Sequence, residues 1–140
     1  MTNFKDLEVW FVTGAQLLYG GDAVIQVDAH SNEMVKGLNE SGNLPVKVVY
    51  KGTVNSAKEV TAAFKAANND DKCIGVITWM HTFSPAKMWI HGLQELKKPC
   101  IHILAGEKVC IQVITPIHLS SLLAALNAAV TSFAELTVPL

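Results

Sequence analysis

The sequence predicts an α/β domain, a three-layer αβα sandwich around a parallel, flavodoxin- or Rossmann-like sheet of about five strands. Three observations predict it. Short apolar runs without polar alternation, the mark of strands buried on both faces, recur along the chain. Amphipathic segments with helix start and stop signals separate them. At 140 residues, half of them apolar and 16% charged, the chain suits one domain over residues 1–140 with a well-covered sheet.

The elements follow in order. Glu8 to Thr13 is an apolar run stopped by Gly14, and reads as strand one. A helix is expected from about Asp22 to Glu40, opened by Gly20-Gly21 and closed by Ser41-Gly42. Pro45 to Tyr50 is strand two. Ser56-Ala-Lys-Glu59 is a capping box, in which serine and glutamate each satisfy an orphan N–H at the start of a helix reaching about Asn69. Cys73 to Trp79 is strand three. Ser84-Pro85 places an N-cap and a first-turn proline ahead of a helix carrying Met88, Trp89, Leu93 and Leu96 on one face, with Trp89 read as core. Pro99 ends that helix, and Cys100 to Leu104 is strand four.

Beyond Leu104 the composition shifts, and from Val109 to Leu140 the only charged side chain is Glu135. This tail reads as strand five, Val109 to Val113, placed beside strand four, and a helix of about Ile117 to Phe133 after Thr115-Pro116. Its serines and Asn127 interrupt the roughly 20 continuous apolar residues that a membrane span needs, so a buried or amphipathic helix is expected.

A net charge of −1 implies no nucleic acid or other polyanion as partner. All eleven basic residues are lysines, so the bidentate arginine fork that clamps phosphate or carboxylate is missing. Cys73, Cys100 and Cys110 are too few and too widely spaced for a disulfide framework or a zinc cage, and read as buried free thiols of a reducing cytoplasm. The start of the chain, with Lys5, Asp6 and Glu8, lacks the layout of a secretory signal, so a cytoplasmic location with no membrane partner is expected.

In such sheets ligands sit outside the carboxyl ends of the strands, which singles out the loops Gly14–Gly21 and Met80–Ser84. The first carries bulky Leu17, Leu18 and Tyr19 where a dinucleotide fingerprint needs bare backbone, while Gln16 and Tyr19 offer an amide and a phenol for hydroxyl recognition. The second brings Trp79, His81, Thr82 and Phe83 together, aromatic faces and polar groups that suit a small polyhydroxy ligand. His81 has no carboxylate nearby in sequence and reads as a structural or ligand-orienting group. His30, His91, His102 and His118 lack the spacing to Glu, Asp or His that builds a metal site on a helix.

At these two loops the sequence resembles the start of bacterial L-arabinose isomerases. The matching stretches are Glu8 to Gly20, Ala67 to Ile90 and Leu96 to Pro99, and Trp79-Met-His-Thr-Phe-Ser-Pro-Ala-Lys87 is long and specific. The resemblance covers about residues 1–103; the tail from 104 to 140 departs from the family pattern. It implies a flavodoxin-like N-terminal domain of an enzyme of arabinose catabolism that interconverts L-arabinose and L-ribulose through an enediol. In that family manganese is held by two glutamates and two histidines of later domains, and the resemblance assigns no catalytic and no metal-ligating residue to this chain. It implies a supporting role in a homo-oligomer, whose N-terminal domain reaches into a neighbouring subunit's active site. Gln16, Leu18 and Phe83 match positions lining the sugar pocket, with Tyr19 and His81 beside them.

Two classes of function follow. One is an N-terminal domain or fragment of an L-arabinose isomerase that supplies pocket residues for L-arabinose and is inactive alone. The other is a stand-alone flavodoxin-like sugar-binding or protein-interaction module without catalysis. The tail is open to two readings as well, out-of-frame or rearranged sequence, or a replacement that completes the sheet.

Overall fold

Strand β1, Glu8–Gly14, is the centre of construction: from Val9 to Gly14 every residue is buried, as a strand covered on both faces requires. The computed structural model describes residues 4–15, 20–80, 87–104 and 110–113. A short 3₁₀ turn, Phe4–Asp6, leads into β1, and α1 (Gly21–Glu40), β2 (Lys47–Val54), α2 (Ala57–Asn69), β3 (Cys73–Met80), α3 (Lys87–Glu95), β4 (Cys100–Leu104) and β5 (Cys110–Val113) follow. The sheet has the order β2-β1-β3-β4-β5.

Alternating side chains divide the core. Val9 and Phe11 join Val48, Ile77, Trp79, Ile101 and Ile103 beneath Val35 and Leu38 of α1. Trp10 and Val12 face the other way, onto Val60 and Phe64 of α2 and Met88 and Trp89 of α3. Among the described residues, one helix on one face and two on the other give the expected α/β sandwich. Each fully buried aliphatic or aromatic side chain contributes about 1.5–3 kcal/mol before conformational entropy is counted.

The expected boundaries of α1, α2, β3 and β4 agree with those observed to within a residue. Strand β2 runs four residues past Tyr50, because Gly52, at φ 104°, absorbs an irregularity in the pairing with β1. Thr13 and Gly14 then pair with Thr53 and Val54. The capping box forms with one change: Ser56 Oγ accepts from Glu59 N at 3.3 Å, while Glu59 Oε2 accepts from Asn55 N at 2.6 Å rather than from the serine's own N–H.

Strands β1 to β4 run parallel, whereas β5 runs antiparallel to β4. Strand five therefore extends the sheet beside strand four as expected, but in the opposite direction. A parallel return needs a crossover of about a dozen residues or more, and only residues 105–109 lie between the two strands. The expected helix Ile117 to Phe133 lies outside the described residues. Among the described residues no helix is long and apolar enough to cross a membrane.

Asparagine side chains tie elements together at two points. Asn39 Nδ2 donates to Val48 O at 2.9 Å and its Oδ1 accepts from Val48 N at 2.8 Å. Asn68 Nδ2 donates to Glu95 O at 2.7 Å and its Oδ1 accepts from Lys97 N at 2.8 Å, which anchors the end of α3 to the end of α2.

Candidate functional site

The carboxyl ends of the four parallel strands are level. Gly14 is in register with Val54 of β2 on one side and with Met80 of β3 on the other, and Met80 is in register with Leu104 of β4. Strand order reverses between β1 and β3, because α1 carries the chain outward to β2 on one face and α2 carries it back past β1 on the other. The crevice at such a switch point is where open α/β sheets bind ligands. Both loops singled out in the sequence leave the sheet there, one after Gly14 and the other after Met80. The residues placed on them, Gln16, Leu18, Tyr19, His81 and Phe83, lie outside the described residues.

What is described is the scaffold beneath. Trp89, in the first turn of α3 and only 3% exposed, lies against Gly14 so closely that a Cβ there would overlap its Cζ2 and come within 3.2 Å of Met88 Cε. On the α1 face, Thr13 Oγ1 and Ser31 Oγ share a hydrogen bond of 2.7 Å, and Ser31 Oγ donates to Val27 O. Asp28 Oδ1 accepts from both Tyr50 Oη and Thr53 Oγ1, at 2.5 Å each, and the two hydroxyls are 2.7 Å apart. Burial, with the bond to Asp28 second, pushes the Tyr50 phenol above its ordinary range, so it stays protonated and donating.

On the other face Thr78 Oγ1 and His102 Nδ1 are 2.6 Å apart, and the imidazole meets the Trp89 ring edge to face, at 6.1 Å between centroids. Burial lowers the His102 pKa and keeps the ring neutral. Cys73 and Cys100 are both buried, as expected. Burial pushes the Cys100 thiol up to about 11 and raises that of Cys73, so neither supplies a thiolate nucleophile at neutral pH.

Among the described residues no three His, Cys, Asp or Glu side chains come together as metal ligands. The polar pairs are what sequence reasoning misses. His102 reads as one of several scattered histidines, yet it is in register with Thr78 on the neighbouring strand. A threonine and a histidine at matched positions in adjacent apolar runs are the signal that finds them.

The arrangement is that of a doubly wound α/β domain in which β1 and β3 end side by side at the switch point. The chain belongs to the L-arabinose isomerase N-terminal domain family, whose model matches residues 3–119. That match extends past residue 103, into the segment carrying β5. The L-arabinose isomerase of Bacteroides thetaiotaomicron is 85% identical over 100 residues, 71% of this chain and 20% of that protein. That of Phocaeicola vulgatus has the same identity and coverage. The L-arabinose isomerase of a Shewanella species, strain ANA-3, is 54% identical over 103 residues, 74% of this chain and 21% of that protein. The chain thus spans about a fifth of the length of the curated relatives it matches.

Proposed function

We propose that this domain supplies the sugar-facing wall of an L-arabinose isomerase active site. The observation that carries the reading is the register of Gly14 with Met80 at the switch point, which roots both segments of the family motif side by side. In this reading Gln16 and Tyr19 hydrogen-bond sugar hydroxyls, Leu18 and Phe83 cover apolar C–H faces, and His81 orients the ligand. The substrate is L-arabinose and the product L-ribulose. Manganese and the carboxylate that moves the proton belong to other domains, and the pocket is completed across a homo-oligomer interface in the cytoplasm.

Binding without chemistry is the role left to this chain. The 140-residue chain, supplied with manganese and L-arabinose, should form no L-ribulose above background. It has the wall of the pocket without the groups that stabilise the enediol-like transition state. Turnover that survives repurification of the chain contradicts this assignment of roles.

A further inference from the structure

The two segments share more than a sheet edge. Helix α3, which closes the second segment, is fixed at three places. Its end is held by Asn68, through Glu95 O and Lys97 N. Its middle lies on α2 at Gly92, where a Cβ would stand 2.6 Å from Val60 Cγ1 and 3.1 Å from Phe64 Cδ2. Its first turn lies on Gly14 through Trp89 and Met88. Trp89 in turn is wedged between Phe64, at 6.1 Å between ring centroids, and His102. The ring cannot retreat without displacing a helix or a strand, because packed interiors transmit strain rather than absorb it.

The described residues on either side of 81–86 both belong to this fixed scaffold, Met80 in register with Gly14 and Lys87 two residues before Trp89. Residue 14 is also the root of the first segment. We propose that Gly14 and Trp89 form a positioning latch, which sets the first and second sugar-facing segments relative to each other. This rests on the pocket reading above. Neither residue touches the sugar in this account; both act through the segments they anchor. The absence of a side chain at position 14 is the element that matters, since any Cβ drives the indole, the start of α3 and the end of the second segment outward together.

The test has two arms. In the first, amide chemical shifts of the full chain are compared for wild type, Gly14→Ala, Trp89→Phe and the double variant, with no sugar present. A latch predicts that Gly14→Ala moves the amides of residues 81–87 as well as those of 15–20. It also predicts that this effect at 81–87 falls by about threefold or more once Trp89→Phe has removed the overlapping ring atoms. If Gly14→Ala does not fold, the double variant should fold and give the spectrum of Trp89→Phe. Shifts confined to the neighbours of residue 14, an effect at 81–87 that Trp89→Phe leaves unchanged, or a double variant that also fails to fold would each overturn the latch.

In the second arm, in an isomerase carrying this domain, Gly14→Ala should raise KM for L-arabinose about tenfold with a smaller fall in kcat, and Trp89→Phe should restore KM. An unchanged KM, or one that Trp89→Phe does not restore, also overturns the proposal. Failure of the pocket reading is distinguishable. In that case Gln16→Ala and Phe83→Ala leave KM unmoved, whatever the sugar-free spectra show.

Discussion

Asn39, near the end of α1, holds Val48 of β2 by both of its backbone polar groups, its amide donating to the carbonyl and accepting from the N–H. Among the described residues β2 is an edge of the sheet, with β1 as its one strand neighbour. The side chain therefore takes the place of a further strand at Val48, a device against edge-to-edge pairing. Asn39→Ala should lower stability by about 1–3 kcal/mol, the worth of two hydrogen bonds, and open the edge to a second chain. Urea unfolding midpoints with sedimentation velocity check both effects; an unchanged midpoint and an unchanged sedimentation profile would argue against them.

His102 gives the fold a pH dependence whose sign is fixed by burial. Its pKa lies below the ordinary histidine value of about 6.5 in the folded chain, so between the two values the unfolded state binds more protons. Its contribution to stability is full above about pH 6.5 and is lost as pH falls toward the folded value. His102→Gln, which cannot gain a proton, should lose less stability than wild type between pH 7.5 and pH 5, as read from urea midpoints at both. Equal losses would show that the imidazole plays no part.

Gly92 sets two effects against each other. Alanine in a helix interior is favoured over glycine by about 1 kcal/mol, whereas over-packing a tight contact costs about 1–3 kcal/mol. With Val60 Cγ1 at 2.6 Å from the position of the added Cβ, packing should win. Gly92→Ala should be destabilising, and Val60→Ala in the same chain should recover part of the loss, a coupling that a double-mutant cycle measures. A stabilising Gly92→Ala would mean that α3 can move away from α2 at little cost.

The fold was legible where local chemistry and long-range packing agree. Apolar runs such as Val9–Val12 and Ile74–Trp79, the Ser56 capping box and the Pro99 stop located the elements, because each signal acts within a few residues. The extension of β2 past Tyr50 was hidden, since glycine weakens a strand interior and the pairing that resumes at Thr53 is supplied by β1. The direction of β5 was available in the short connection after Leu104. At the candidate site the residues singled out by type and order, Gln16, Leu18, Tyr19, His81 and Phe83, lie outside the described residues. The couplings beneath them, Thr78 with His102 and Gly14 with Trp89, join positions 24 and 75 residues apart that only the completed sheet brings together.

The most direct measurement is the sugar affinity of an isomerase in which residues 1–103 of this chain replace the matching segment of the Bacteroides thetaiotaomicron relative. If the two segments rooted at Gly14 and Met80 form the wall of the sugar pocket, Gln16→Ala and Phe83→Ala should each raise KM for L-arabinose about tenfold, the worth of one lost ligand contact. Manganese affinity should stay as it was. A KM within about twofold of the parent for both variants, with the fold intact, would contradict the account.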